Sequence, residues 1–237
     1  MHNLQAIYFK EIKSYFNSPM AYIFLVIFAI INGYFFNRTF FLFDQSDMRA
    51  LFNIIPLVYL FFIPAVTMSL IAKEKNLGTM EVLSTLPLKS YDFVIGKFLA
   101  AFSLVMVGLL VTSVHFFTLM TVGTNVDYGA VFTGYLGLTF AGAVYSSIGT
   151  FASSTTDNQV VAFIIGIFIV LIFFLMDKML IFVPIYLTGL IQYLSIDYHL
   201  SNISRGVIDS RNLIYFGSIV GFFLFMTIRV LETRKLH

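Results

Sequence analysis

Few side chains in this chain could do chemistry, and they are scattered. His2, His115, His199 and His237 are far apart in sequence. There is no H-E-x-x-H pair, no pair of histidines at ligand spacing and no nucleophile elbow. The absence of Cys excludes disulfides and thiolate metal sites. Gly96-Lys97 is followed by Phe98, with no glycine five positions before Gly96, so the phosphate loop G-x-x-x-x-G-K-S/T is missing. His115 falls within an apolar stretch, where it is either a functional group or a neutral ring bonded to a neighbouring helix. The chain therefore reads as non-catalytic, with no metal and no cofactor of its own. The remaining chemistry is ionic and concentrated. Residues 73–92, KEKNLGTMEVLSTLPLKSYD, carry Lys73, Glu74, Lys75, Glu81, Lys89 and Asp92 between two very hydrophobic segments.

That segment also has helix punctuation. Gly78 can end a helix arriving from the preceding apolar stretch. Thr79 can cap a short helix over 80–86, which Pro87 stops. Ser90 can cap the next long helix, with Asp92 in its first turn. The short helix presents Met80, Val82 and Leu83, apolar residues a plain loop does not need. Buried in a partner groove, each large side chain would contribute about 1.5–3 kcal/mol. Glu81 could fix orientation through a partner's Arg or Lys. The alternative is that this helix simply lies on a membrane.

The elements that must hold this segment are membrane spans. The chain is 59% hydrophobic and only 11% charged, with a mean hydropathy of +0.92; a soluble domain carries about 25% charged residues. Its 29 Phe and 13 Tyr, with no Trp, must supply the interfacial belt. A spanning helix needs ~20 mainly apolar residues. Six segments qualify: 20–43, 51–72, 93–122, 131–152, 159–176 and 212–231. Pro56 and Pro64 can kink the second. With both termini cytoplasmic, Lys10, Lys13, Lys73, Lys75, Lys89, Lys97, Arg229, Arg234 and Lys235 lie inside. Arg38, Arg49, Lys178, Arg205 and Arg211 lie outside, a bias of nine to five. The N-terminus lacks a small-residue cleavage site and reads as retained.

Three further stretches are structured by their pattern. Residues 3–17 form an amphipathic helix, with Leu4, Ile7, Tyr8, Ile12, Tyr15 and Phe16 at helical spacing and Lys10, Lys13, Ser14 and Asn17 opposite. Such a helix can lie in the headgroup layer, and Pro19 breaks it before the first span. The fourth span is rich in Gly, Ala and Ser, which admit a close backbone; packing inside one subunit is favoured over a dimer seam. Residues 179–194 tempt a seventh span, but Pro184 and Gly189 interrupt them, which favours an outer re-entrant hairpin within the 177–211 region. Asp157 can open the fifth span as a cap or first-turn acid. Arg205 and Asp209 are four apart and could pair on a helix near an outer partner, or simply form a solvated cap.

The stretch 74–100, EKNLGTMEVLSTLPLKSYDFVIGKFLA, resembles the signature of type-2 ABC exporter permeases, through Glu74, Gly78, Thr79, Glu81, Pro87, Gly96 and Lys97. The similarity runs along the chain. KEIKSYFNSPMAYIF at 10–24, TTDNQVVAFIIG at 155–166 and SRGVIDSRNLIYF at 204–216 are similar to the gliding-motility-associated F subunit of that family. The resemblance implies an all-α integral membrane protein of one domain over 1–237. It would have six spans, an interfacial N-terminal helix carrying Lys10, Glu11 and Lys13, a cytoplasmic coupling helix and an outer helical hairpin between spans five and six. It assigns Gly78, Thr79, Met80, Glu81, Val82, Leu83 and Pro87 to coupling with a separate nucleotide-binding subunit that holds ATP and Mg. It implies two permease copies in a bacterial inner membrane and, in the gliding branch, an accessory membrane subunit with a large outer domain.

The expected activity is ATP-driven movement of a cargo across or out of the membrane. Two rivals stand beside it. A platform that transmits force to an outer partner fits the same sequence. An ion-coupled secondary transporter is disfavoured by nearly uncharged spans without matching breaks in two halves. Phe-rich spans would suit lipid-like cargo, but they also simply face lipid, so no cargo residues are assigned.

Overall fold

The computed structural model describes residues 2–42, 47–80, 88–124 and 126–235, and every regular element among them is helical. Helix α1 (His2–Asn17) stops at Ser18, and Pro19 opens α2 (Pro19–Asn37). Proline has no N–H, and at a first helical position none is needed. A π-helical turn, Arg38–Leu42, extends α2. Helices α3 (Arg49–Thr67) and α4 (Ser69–Asn76) form one apolar rod with a break at Met68. Pro56 and Pro64 lie inside α3, each costing the rod a donor. At the far end of α4 the Gly78 N–H donates to the Lys75 carbonyl at 3.1 Å. Gly78 has φ of 68°, the left-handed turn that glycine adopts without strain.

The second half repeats the up-and-down path. Helix α5 (Ser90–Val122) is followed by α6 (Tyr128–Thr155), α7 (Gln159–Leu175), a 3-10 turn at Leu180–Phe182, α8 (Ile185–Leu194), α9 (Ile196–Ser204) and α10 (Ser210–Lys235). Two expected caps differ. Ser90 is the first residue of α5, with Lys89 in the cap position and Asp92 in the first turn as predicted. Asn158, not Asp157, caps α7, its Oδ1 accepting from Val160 N at 2.9 Å and Val161 N at 3.4 Å.

Among the described residues five helical stretches are long and apolar enough to cross a membrane: Pro19–Phe41, Arg49–Asn76, Ser90–Val122, Tyr128–Thr155 and Ser210–Thr233. The sixth expected span is α7. Its 17 residues reach about 25 Å at ~1.5 Å per residue, against ~30 Å of hydrocarbon. Helix α8 has ten residues, about 15 Å long, half of that thickness. The 179–194 stretch therefore lacks the length of a seventh span.

Helix α6 lies in the middle, packing on α3, α4, α5, α7, α9 and α10. Its small residues make this possible. A Cβ on Gly134 would stand 2.1 Å from Phe52 Cε2, on Gly137 2.7 Å from Leu200 Cδ1, and on Gly149 2.0 Å from Thr67 Oγ1. The close approaches are all made within the chain, which is the favoured reading of that stripe. Large apolar side chains such as Ile23, Val26 and Ile30 on α2 and Ile214 and Phe222 on α10 stand exposed, as lipid-facing groups do.

Candidate functional site

Much of the apolar stripe of helix α1 is covered by protein, while Phe9 stays exposed. The helix docks on the first turns of α5. Ile7, Tyr8, Ile12 and Phe16 pack on the protein core, and Tyr15 is buried. The docking depends on Gly96: a Cβ there would meet Ile7 Cγ2 at 3.0 Å and the Leu4 carbonyl at 3.1 Å. Tyr8 Oη lies 3.0 Å from Ser103 Oγ, and Tyr15 Oη donates to the Val66 carbonyl at 3.0 Å. Burial first, and then the charge of Glu11, push the Tyr15 phenol well above its ordinary pKa, so it stays a donor.

One residue after Gly96, Lys97 is 1% exposed. Its ammonium donates to Glu11 Oε1 of α1 at 2.8 Å and lies 3.0 Å from Glu74 Oε1 of α4. The Phe93 ring, 4.9 Å away, covers it. Lys10 closes the group from outside, 3.0 Å from Glu74 Oε1 and 3.7 Å from Glu11 Oε1. Burial draws its pKa down, but the hydrogen bond and charge of Glu74, and then Glu11, outweigh that and raise it. Two cations and two anions thus neutralise one another. Neutrality is what makes burying Lys97 tolerable, because an unpaired ammonium in apolar surroundings is strongly disfavoured. Glu74 Oε2 is buried and keeps no hydrogen bond among the described residues.

The junction adjoins the polar segment. Thr79 Oγ1 donates to the Glu74 carbonyl at 3.1 Å, which closes the end of α4; the amides it was expected to cap lie outside the described residues. Thr79 and Met80 are helical, and Met80 is half-buried against the core. Glu81, Val82, Leu83 and Pro87 lie outside the described residues. Lys10 and Glu11 belong to the junction, whereas Lys13 is exposed and has no part in it. Sequence spacing placed Glu74 and Lys97 only within a motif; the meeting of Lys97 with Glu11 is long-range, and local periodicity carries no trace of it.

Arg205 and Asp209 lie at the opposite end and are not on one helix. Arg205 ends α9, and Gly206 turns the chain with φ of 93°. Asp209 Oδ1 accepts from Arg211 N at 2.8 Å, at the start of α10. The expected i,i+4 pair is therefore absent among the described residues, because the turn at Gly206 interrupts the helical spacing.

That opposite end is held by hydrogen bonds and ring stacking centred on His199, which is 1% exposed. Its Nε2 donates to the Tyr193 carbonyl at 2.8 Å, and Nδ1 lies 2.7 Å from the Asn212 side-chain amide. Tyr215 stacks on the ring at 3.8 Å and donates to the Leu194 carbonyl at 2.5 Å. The last carbonyls of α8 are thus satisfied by side chains of α9 and α10. Lys178 and Asp197 pair at 2.6 Å. His115 stacks on Phe36 at 4.6 Å instead of joining a polar group. The acids at the small cleft near α3 and α6 serve as caps, Asp47 for Arg49 N and Asp127 for Ala130 N. No cluster of three metal-ligating side chains occurs among the described residues.

The arrangement around Lys97 ties three helices together by charge, and no cluster of three metal-ligating side chains lies beside it among the described residues. No curated protein matches the chain. Residues 3–204 match the family model described as ABC-2 family transporter protein. With five helices long enough to span and that match over most of its length, the chain belongs to the ABC-2 transporter family as a multi-pass membrane permease subunit that works with an ATP-binding ABC subunit.

Proposed function

We propose that the chain is the permease of an ATP-driven exporter and that the junction of α1, α4 and α5 couples it to its ATPase. The observation that carries this reading is Lys97, buried between Glu11 and Glu74 within a few residues of the polar segment. A push on residues 79–86 enters α4 through Thr79, whose hydroxyl holds the Glu74 carbonyl. Glu74 cannot leave Lys97 without stranding a buried charge. Helices α1, α4 and α5 therefore move as one body. The ATPase holds ATP and Mg and does the hydrolysis; this chain supplies the docking segment and the lever. The difference in contacts between nucleotide states drives the change.

In this reading the junction faces the cytoplasm of a bacterial cell, in line with the lysines at that end, and both termini lie there too. Helix α7 crosses with its flanking turns as the sixth span, and α8 with its 3-10 turn is a re-entrant hairpin in the outer leaflet. Two permease copies form the working unit, with the cargo path between them. The similarity of 10–24, 155–166 and 204–216 to a gliding-motility subunit supports an accessory membrane partner with a large outer domain. Arg205 and Asp209 are placed to meet it. The test is recovery of the complex from mild detergent with its native partners, with ATPase activity measured in the eluate. Met80→Asp with Glu81→Lys should abolish recovery of the ATPase while the permease still inserts. Undiminished recovery and undiminished transport would overturn the docking assignment.

A further inference from the structure

Helix α4 has no cap of its own. Met68, at its start, offers its first turn no side-chain hydrogen bond. The cap comes from α6. Ser153 Oγ accepts from Ile71 N and from Ala72 N, each at 3.0 Å, and donates to the Met68 carbonyl at 2.8 Å. A serine hydroxyl has one proton and two lone pairs, so this buried side chain has its whole capacity committed to the break in the rod. One turn earlier on α6, Gly149 faces Thr67 so closely that a Cβ would stand 2.0 Å from its Oγ1. One residue later, the Ser154 carbonyl accepts from Lys75 Nζ of α4. Three successive contacts thus seat α4 on the end of α6.

We infer that Ser153 is a positioning residue: it passes movement of the α1–α4–α5 junction into α6 and, through α6, to the opposite end of the bundle. Helix α5 also runs from the junction along the bundle, but the close contact with α9 is made by another helix. That helix is α6, whose Gly137 receives Leu200 of α9. A hydroxyl suits the task. It ties α4 to α6 by direction as well as by contact, so the two must shift together, whereas apolar packing alone would let one slide past the other. The inference rests on the coupling reading above and extends it from the docking end to the hairpin end.

The test uses the assembled complex with its ATPase in nanodiscs and hydrogen exchange with and without a non-hydrolysable ATP analogue. In the unaltered complex the nucleotide should change exchange in both 69–80 and 196–204. In Ser153→Ala the change in 69–80 should persist, while that in 196–204 falls by about tenfold, toward the upper range for single substitutions between coupled sites. Ser153→Cys, similar in volume but a poor acceptor, should behave like alanine without leaving a void, and Ser153→Thr, which keeps the hydroxyl, should restore the response. A merely structural role would lower thermal stability in all three without separating the two segments. An unchanged response at 196–204 in both Ser153→Ala and Ser153→Cys overturns the inference and leaves the coupling reading standing. No nucleotide response at 69–80 in the unaltered complex overturns the coupling reading, and the inference with it.

Discussion

At one end of the bundle four charged side chains, Lys10, Glu11, Glu74 and Lys97, join α1, α4 and α5. At the other end hydrogen bonds to backbone carbonyls around His199 join α8, α9 and α10, beside a partly exposed Lys178–Asp197 pair, and α8 stands with Ile185 and Tyr186 exposed. Apart from Glu74 Oε2, the buried polar groups named at both ends find partners, but the two ends would respond differently to displacement. Separating a buried cation from its only neutralising partners is costly at any intermediate position. Neutral hydrogen bonds at a helix end cost less and can be replaced by water or by a neighbouring donor. In the proposed reading the charged end moves as a unit and the end around α8 rearranges. That division suits a lever driven at one end whose output is conformational at the other.

The comparison sharpens most through Lys97. Lys97→Ala leaves Glu11 and Glu74 as unbalanced carboxylates and should cost about 3–5 kcal/mol, read as a drop in thermal midpoint in detergent and as rapid exchange of α1. Exchanging the charges, Glu11→Lys with Lys97→Glu, should recover part of that loss. If Lys97→Ala proved no more damaging than a change at His199, the contrast between the ends would collapse. Next comes Gly149→Ala, which forces a methyl against Thr67 and should cost about 1–3 kcal/mol, measured the same way. At the opposite end, His199→Phe keeps the stack on Tyr215 but orphans the Tyr193 carbonyl. A loss of about 1–3 kcal/mol should appear with faster proteolysis in 180–195 and no change in exchange of α1.

Smaller effects test the rim. Lys10 is 62% exposed along its side chain, so Lys10→Ala should cost less than about 1 kcal/mol and still less in high salt. Its pKa is raised above the ordinary 10.5. Its contribution should therefore be complete below that value and fade only as pH rises through the higher folded pKa, so the stability difference between Lys10→Ala and the parent should stay flat from about pH 6 to 9. Ile185, 92% exposed, should tolerate alanine within about 0.5 kcal/mol in detergent.

Local rules made much of this legible. Pro19 separates α1 from α2 because proline has no N–H to give, and Gly78 ends α4 because only a left-handed turn fits there. The cap of α7 was misplaced by one residue because Asp157 and Asn158 offer the same kind of acceptor, and only backbone direction chooses between them. Arg205 and Asp209 failed as a pair because spacing assumes a continuous helix, which Gly206 breaks. The amphipathic face of α1 was legible in its residues, but not that the protein core covers Ile7, Tyr8, Ile12 and Phe16: periodicity says which side is apolar, not what packs on it.

The sequence by itself determined that this is a helical membrane protein, where its chain must bend, and which polar segment lies between two apolar rods, since those follow from composition, period and missing donors. Only the tertiary structure decided that Lys97 meets Glu11, 86 positions away, and that Ser153 caps a helix 82 positions before it. A charge or a hydroxyl has no periodicity that names its partner. Which groups meet is decided when apolar helices pack at glycines such as Gly96 and Gly149, and the buried polar groups this brings together must then satisfy one another.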